Sequence, residues 1–215
     1  MIEFRVVIDK KASQPSSYVF IDASNLFYGG VKELGWKIDY LKLINFLKEK
    51  FGATKIFYYA GVRLFGFPFD QIKEDSIDPL QLSLFLQDKM KLVAQNKQVA
   101  LLKQVKQVKF FLKLQQFGYL LKLKPVREIR SGRKIVLKAN CDVDLTFDAL
   151  LFLKKYKRVL VLSGDGDFLP LLKFLKKEKE KLWVIARSNR TAGEVKKLVK
   201  NQFIDLISLK EALKI

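Results

Sequence analysis

Short apolar runs, several of them closed by a polar or acidic residue, alternate along this chain with longer stretches of helical spacing. Tyr18 to Ile21 is such a run, closed by Asp22, and it reads as a buried strand. Lys55 to Val62, rich in β-branched and aromatic residues, predicts a second strand. Tyr119 to Pro125, Arg158 to Leu162 and Leu182 to Ala186 read as a third, fourth and fifth. Phe203 to Ile207 adds an edge strand before a short terminal helix.

Between these runs the period changes. Asp39 is placed to cap a helix from Tyr40 to Phe51, with Leu41, Ile44, Leu47 and Phe51 on one apolar face and Gly52 as its stop. Further helices are predicted from Cys141 to Tyr156, from Phe168 to Lys177 with Asp167 as N-cap, and from Thr191 to Lys200. Asn25 to Gly30 reads as a loop or brief helix, and Gly61 to Asp75 as a loop interrupted by Gly and Pro. Asp78-Pro79 opens a helical stretch reaching Phe117, with Pro79 suited to the first turn. Unbroken it would run roughly 60 Å at 1.5 Å per residue, so a break is expected near Gln95-Asn96-Lys97. No heptad persists there, and a coiled coil is unsupported. Arg127 to Lys138 is a basic hairpin or mobile loop around Ser131-Gly132.

Strands alternating with helices predict an α/β fold, a parallel sheet with helices on both faces. The chain reads as a single domain over 1–215, with a core at about 18–208 and a helical insertion at about 78–117. No internal repeat or linker interrupts it. Sites in such sheets form outside the carboxyl ends of the strands, which is where Asp22 and Asp165 fall.

Composition narrows the chemistry. The chain of 215 residues carries 41 Lys+Arg against 22 Asp+Glu, a formal charge of +19. That surplus implies an anionic partner, nucleic acid before an acidic membrane surface. Histidine is absent, which excludes a Ser-His-Asp triad, a Cys-His pair and His-ligated zinc. The single cysteine, Cys141, excludes an intramolecular disulfide and a thiolate zinc cluster, and reads as a small buried side chain. No apolar run reaches the ~18–20 residues of a membrane span, and the first residues lack the layout of a signal peptide. A cytoplasmic protein with no membrane partner is the expectation.

Within this basic chain the acidic residues gather in three places: Asp22; Asp142, Asp144 and Asp148; and Asp165 with Asp167 in Ser163-Gly164-Asp165-Gly166-Asp167-Phe168. Mg²⁺ and Mn²⁺ take hard oxygen ligands, and Mg²⁺ needs only one or two carboxylates. Such clusters beside a bound polyanion suggest metal-dependent cleavage of nucleic acid, chemistry that needs no histidine. At 100° per residue Asp144 and Asp148 share one helical face, while Asp142 lies about 120° from Asp148. Asp142 is therefore read as a ligand, Asp148 as a helper or second-ion residue, and Asp144 as facing elsewhere. Asp22 is either a ligand or a cap, and Asn25 orients Asp22 or contacts phosphate. Ser163 either adds a hydroxyl to the site or is a plain turn residue, and Gly164 and Gly166 let the backbone bend tightly and approach a ligand.

Three blocks resemble the signature segments of NYN domains, within the PIN-like nuclease superfamily. They are Phe20-Ile21-Asp22-Ala23-Ser24-Asn25, Lys138 to Leu145 with Asp148, and Leu162 to Phe168, with Phe203-Ile204-Asp205-Leu206 similar to the closing segment. The resemblance spans Tyr18 to Ser208 and implies a Rossmann-like sheet of order 3-2-1-4-5, a Mg²⁺ or Mn²⁺ site and endoribonuclease activity. Its catalytic and metal-binding roles fall on Asp22, Asp142, Asp165 and Asp167, with Asp148 and Asn25 beside them. RNA is favoured over DNA by this resemblance alone.

Arg127, Arg130, Arg133, Lys134 and Lys138 lead into the second acidic block, and Arg187 and Arg190 follow the fifth strand. These residues are the expected phosphate contacts. Phe65, Phe67 and Phe69 would either stack on unpaired bases or pack into the core or as a lid. Two other readings stand beside the nuclease: a non-catalytic RNA-binding module of the same fold, and a haloacid dehalogenase-like phosphatase. The latter rests on Asp142-Val143-Asp144-Leu145-Thr146 and requires that block directly after a strand. A homodimer through the long helical segment is left open.

Overall fold

The computed structural model describes residues 16–26, 35–92, 98–131 and 134–215, and the backbone alone over 128–131 and 134–138. The first half of the chain comprises β1 (Ser17–Asp22), α1 (Ala23–Leu26), α2 (Tyr40–Phe51), β2 (Ala53–Val62), α3 (Pro79–Leu92) and α4 (Gln98–Phe117). Next come β3 (Leu120–Pro125), β4 (Arg127–Ser131), β5 (Lys134–Lys138) and α5 (Asp142–Leu151). The rest alternates as β6 (Arg158–Leu162), α6 (Leu169–Glu178), β7 (Lys181–Ala186), α7 (Gly193–Val199), β8 (Phe203–Asp205) and α8 (Lys210–Leu213).

Six strands pair in the order β3-β2-β1-β6-β7-β8, all of them parallel, and β4 and β5 form a separate antiparallel hairpin. Counted along the main sheet this is the expected order 3-2-1-4-5 with the predicted edge strand added. A parallel sheet buried on both faces needs continuous apolar runs, and every residue of β1 is buried. Successive side chains point to opposite faces, so the run feeds two cores. Val19 and Ile21 join Leu43, Leu47, Val108 and Phe111 beneath α2 and α4. Phe20, Phe57 and Val161 join Leu145, Leu172 and Val195 beneath α5, α6 and α7.

α2 is stopped as its sequence predicts. Asp39 Oδ1 accepts from the amides of Leu41 (2.8 Å) and Lys42 (3.1 Å), and Gly52 closes the helix at φ 64°. Its buried face differs by one residue from expectation, comprising Leu43, Ile44, Leu47 and Phe51, with Leu41 44% exposed. At 100° per residue Leu41 falls about 60° outside the arc of those four. The expected helix from Cys141 ends earlier, at Leu151, and gives way to a 3-10 turn at Leu153–Lys155. Asp167 is not the cap of the helix after β6; Asp165 caps a 3-10 turn, Gly166–Phe168, and α6 begins at Leu169.

The inserted segment forms two helices that pack together, α3 and α4, and α4 also packs on α2 and β3. The break expected near Gln95-Asn96-Lys97 lies outside the described residues. Phe65, Phe67 and Phe69 pack against the core, with Phe67 edge-on to Phe85, so they act as packing and not as exposed stacking platforms. Among the described residues no helix is long and apolar enough to cross a membrane.

From β1 the chain moves outward to β2 and β3, then returns to β6 on the other side of β1. The connections leaving β1 and β6 therefore diverge, and a crevice opens at their carboxyl ends.

Candidate active site

Asp22, the last residue of β1, is 5% exposed. Its Oδ1 accepts from Ser24 N (3.0 Å), Ser24 Oγ (2.6 Å) and Asn25 N (3.2 Å), so it caps α1. Its Oδ2 accepts from Ser163 Oγ at 3.1 Å, across the crevice at the end of β6. Ser163 Oγ in turn accepts from Asp165 N at 3.2 Å. Asn25 adds a second brace, its Oδ1 accepting from Gly164 N at 3.0 Å. Capping and site-building, the two alternatives for Asp22, are thus served by one carboxylate. Asn25 ties the crevice together at the sheet edge.

Gly164 meets a steric need of its own. Neither Gly164 nor Gly166 takes a positive φ. A Cβ built on Gly164 would stand 2.5 Å from Thr191 Oγ1 and 3.0 Å from Thr191 Cα. The close approach is thus between the loops after β6 and β7, sealed by Ala192 N donating to Gly164 O at 3.1 Å. The φ of an ordinary residue suffices there, but its side chain does not fit.

α5 divides its acidic residues as helical phase requires. Asp144 Oδ1 pairs with Lys124 Nζ at 2.8 Å. Asp148 Oδ2 accepts from Tyr59 Oη at 2.9 Å and lies 3.4 Å from Lys122 Nζ. Lys122 and Lys124, two apart on β3, share one side of the strand and meet two carboxylates four apart on the helix. Burial, then the neighbouring Asp148 carboxylate, holds the Tyr59 phenol protonated, well above its ordinary range. Asp148 is therefore turned to Tyr59 and Lys122, and Asp142, at the helix start, lines the cleft with Asp22 and Asp165.

That cleft has a volume of about 980 Å³ and lies between α4 and the carboxyl ends of β1, β2 and β6. Asp22, Asp142 and Asp165 reach it from three elements distant in sequence. Asp167 is exposed and is not among the lining residues; its amide donates to Asp165 Oδ1 at 3.0 Å. Cys141 also borders the cleft, and its thiol is pushed up to about 12 by burial first and then by Asp144, Asp22 and Asp142, against an opposing effect of Lys124. It is a protonated, buried thiol, as expected.

The donor set suits a hard divalent cation: carboxylate oxygens, no imidazole and no thiolate. Among the described residues no three such side chains enclose an ion by themselves. Mg²⁺ sites commonly use one or two carboxylates and retain water.

The expected phosphate contacts are dispersed. Arg127 is exposed, with Nη2 3.4 Å from Gln71 Oε1, and Lys138 is its register partner in the hairpin. Arg130 pairs in register with Ile135 and Lys134 with Ser131, and Arg133 lies outside the described residues. Arg190 is exposed, whereas Arg187 is 9% exposed and its Nε is buried without a hydrogen bond. None of the described hairpin side chains nor Arg187 lines the cleft. Its cations are instead Lys37, Arg63 and Lys113. Arg63 could have been found from sequence, since it directly follows β2 at the same edge as Asp22. The phosphatase reading fails on placement, because Asp142 to Thr146 lies within α5 and not at a strand end of the parallel sheet.

In sequence and in fold the chain is similar to known proteins. The chain is 21% identical over 190 residues to the low amplitude and bright protein LabA of Synechococcus elongatus, covering 87% of this chain and 82% of that protein. In fold it is similar to a Vibrio parahaemolyticus protein of unknown function, VPA0982, with a TM-score of 0.64, 19% identity, and coverage of 96% of this chain and 99% of that one. The T5 D15 protein co-crystallised with metal ions aligns at a TM-score of 0.42 and 15% identity over 81% of this chain and 55% of its own. The NYN domain pattern matches residues 16–208, nearly the whole chain, and the protein belongs to the NYN domain family.

Proposed function

We propose that this protein is a metal-dependent endoribonuclease that hydrolyses phosphodiester bonds in RNA. The observation that carries the reading is the convergence of Asp22, Asp142 and Asp165 on one cleft of a chain with net charge +19. Membership of the NYN domain family supports nuclease chemistry. Asp22, Asp142 and Asp165 would hold Mg²⁺ or Mn²⁺, which supplies Lewis-acid stabilisation of the charge that builds on the phosphate oxygens.

The chain's own groups do the rest. Lys37, Arg63 and Lys113 attract and orient the phosphates. Ser163 fixes Asp22 against the Asp165 backbone, so two carboxylates reach the reacting phosphate already positioned. With no histidine and a protonated Cys141, a carboxylate is the chain's own acceptor for the proton lost by the attacking water. Water oxygen bonds to phosphorus as the bond to the leaving oxygen breaks, and that oxygen takes a proton from solvent to leave as a hydroxyl.

Asp165→Asn keeps the oxygen that accepts from the Asp167 amide, so its fold should persist. The test is cleavage of a panel of RNA and single-stranded DNA oligomers with Mn²⁺ or Mg²⁺. Wild type should cut RNA, and both Asp165→Asn and excess EDTA should abolish cutting. Undiminished cutting in either arm sinks the mechanism. A same-fold module that binds RNA without cleaving it is the second reading, favoured by the four hydrogen bonds that already occupy Asp22. Tight RNA binding with no cleavage under any divalent ion would establish it.

A further inference from the structure

α4, contributed by the helical insertion, forms the wall of the cleft facing the acidic residues, and its chemistry is unlike theirs. Gln104, only 4% exposed, donates through Nε2 to Gln107 Oε1 at 3.0 Å. Gln107 Nε2 donates to Gly61 O, at the end of β2, at 3.2 Å. Both amides are thereby oriented, and the chain of bonds ends at Gln104 Oε1, which accepts nothing among the described residues. A carbonyl oriented in this way on a nearly buried residue is best satisfied when a ligand or water supplies a donor. Beside it Phe110 and Tyr40 meet edge to face at 4.9 Å and border the same cleft.

Apart from Lys113, nearer its far end, this wall is aromatic with one oriented acceptor, which does not suit a phosphate. It suits a flat heterocycle carrying N–H groups on its edge. Building on the ribonuclease reading, we infer that the α4 wall is a subsite for one unpaired base of the RNA strand, with Gln104 accepting from the base edge and Phe110 and Tyr40 packing on the ring. In a duplex the base edges are already paired and stacked, so the subsite selects single-stranded or locally opened RNA. The insertion thereby acquires a role in substrate choice.

The test is binding in EDTA, read by fluorescence anisotropy, of a single-stranded RNA oligomer and an abasic phosphate oligomer of equal length. Wild type should bind the RNA about tenfold more tightly than the abasic strand, within the range for stacking of one base. Gln104→Leu should reduce that ratio to below about threefold without weakening the abasic strand. Gln107→Ala, at an exposed position whose folding is not at risk, should reduce it in the same direction by releasing the Gln104 amide. Equal binding of the two oligomers by wild type, or an equal loss on both in Gln104→Leu, overturns the base subsite and leaves the ribonuclease reading intact. Failure of wild type to bind either oligomer overturns both.

Discussion

Cys141 shows how strongly one position is determined by its neighbours. Its thiol is pushed from 9.0 up to about 12, by burial and then by Asp144, Asp22 and Asp142. The folded chain keeps it neutral, while an unfolded chain ionises it near its ordinary value. The stabilisation from this neutral thiol is complete below pH 9 and is lost as pH rises towards 12. Native protein at pH 8 should resist alkylation by iodoacetamide, and denaturant should restore a normal rate; mass spectrometry reads both, and rapid native labelling would contradict the burial. At this scale the sequence was legible where chemistry is local. Asp22 at a strand end and the phase separation of Asp142 from Asp144 needed only chain position and helical geometry. The Tyr59 and Lys122 partners of Asp148 were not legible, because they depend on the register of β2 and β3 against α5.

Among the elements, two glycines make a direct contrast. Gly164→Ala would drive a methyl into Thr191 and part the loops after β6 and β7. It should destabilise by about 1–3 kcal/mol, the range for overpacking. Gly193→Ala, at the start of α7 with nothing within 4 Å of the added carbon, should be neutral or stabilising by up to about 1 kcal/mol. Urea unfolding of the two variants checks the pair, and equal midpoints would dismiss the loop-packing account. Helix limits marked by local caps, such as Asp39 and Gly52, were readable from a few residues. The buried stripe of α2 differed from expectation in one member, Leu43 in place of Leu41, since the pattern alone does not say which edge of an apolar arc meets the sheet. For α4 the pattern showed no clean face, and its place along the cleft follows from packing on α2 and β3.

For the molecule as a whole, the charge of +19 predicts RNA affinity that falls steeply with salt. Replacing Lys37 and Lys113 with Gln should flatten the logarithmic salt slope by about 0.7 for each phosphate that these lysines neutralise. Neutralising Arg127, Arg130 and Arg133 together tests the hairpin in the same titration. An unchanged slope in either variant removes that group from the interface. The overall architecture was readable because alternating strands and helices admit few topologies, and a site at the reversal of strand order follows from the fold class. Of the cations that line the site, Arg63 was within reach of the sequence, but Lys37 and Lys113 were not, since they reach it from a segment before α2 and from α4, far from any strand end.

The braces across the crevice also set the order of events during folding. Ser163 to Asp22 and Gly164 to Asn25 join positions 141 and 139 residues apart. Bonds between positions so distant form only after β6 has docked beside β1, past the whole insertion and hairpin. A chain with α2, α3 and α4 already formed would still lack an assembled acidic centre. In refolding from denaturant, RNA cleavage should return no earlier than the slowest phase of tryptophan fluorescence, and activity that precedes that phase would show that the braces are dispensable. Such timing would withhold the proposed cleavage from a nascent or partly folded chain.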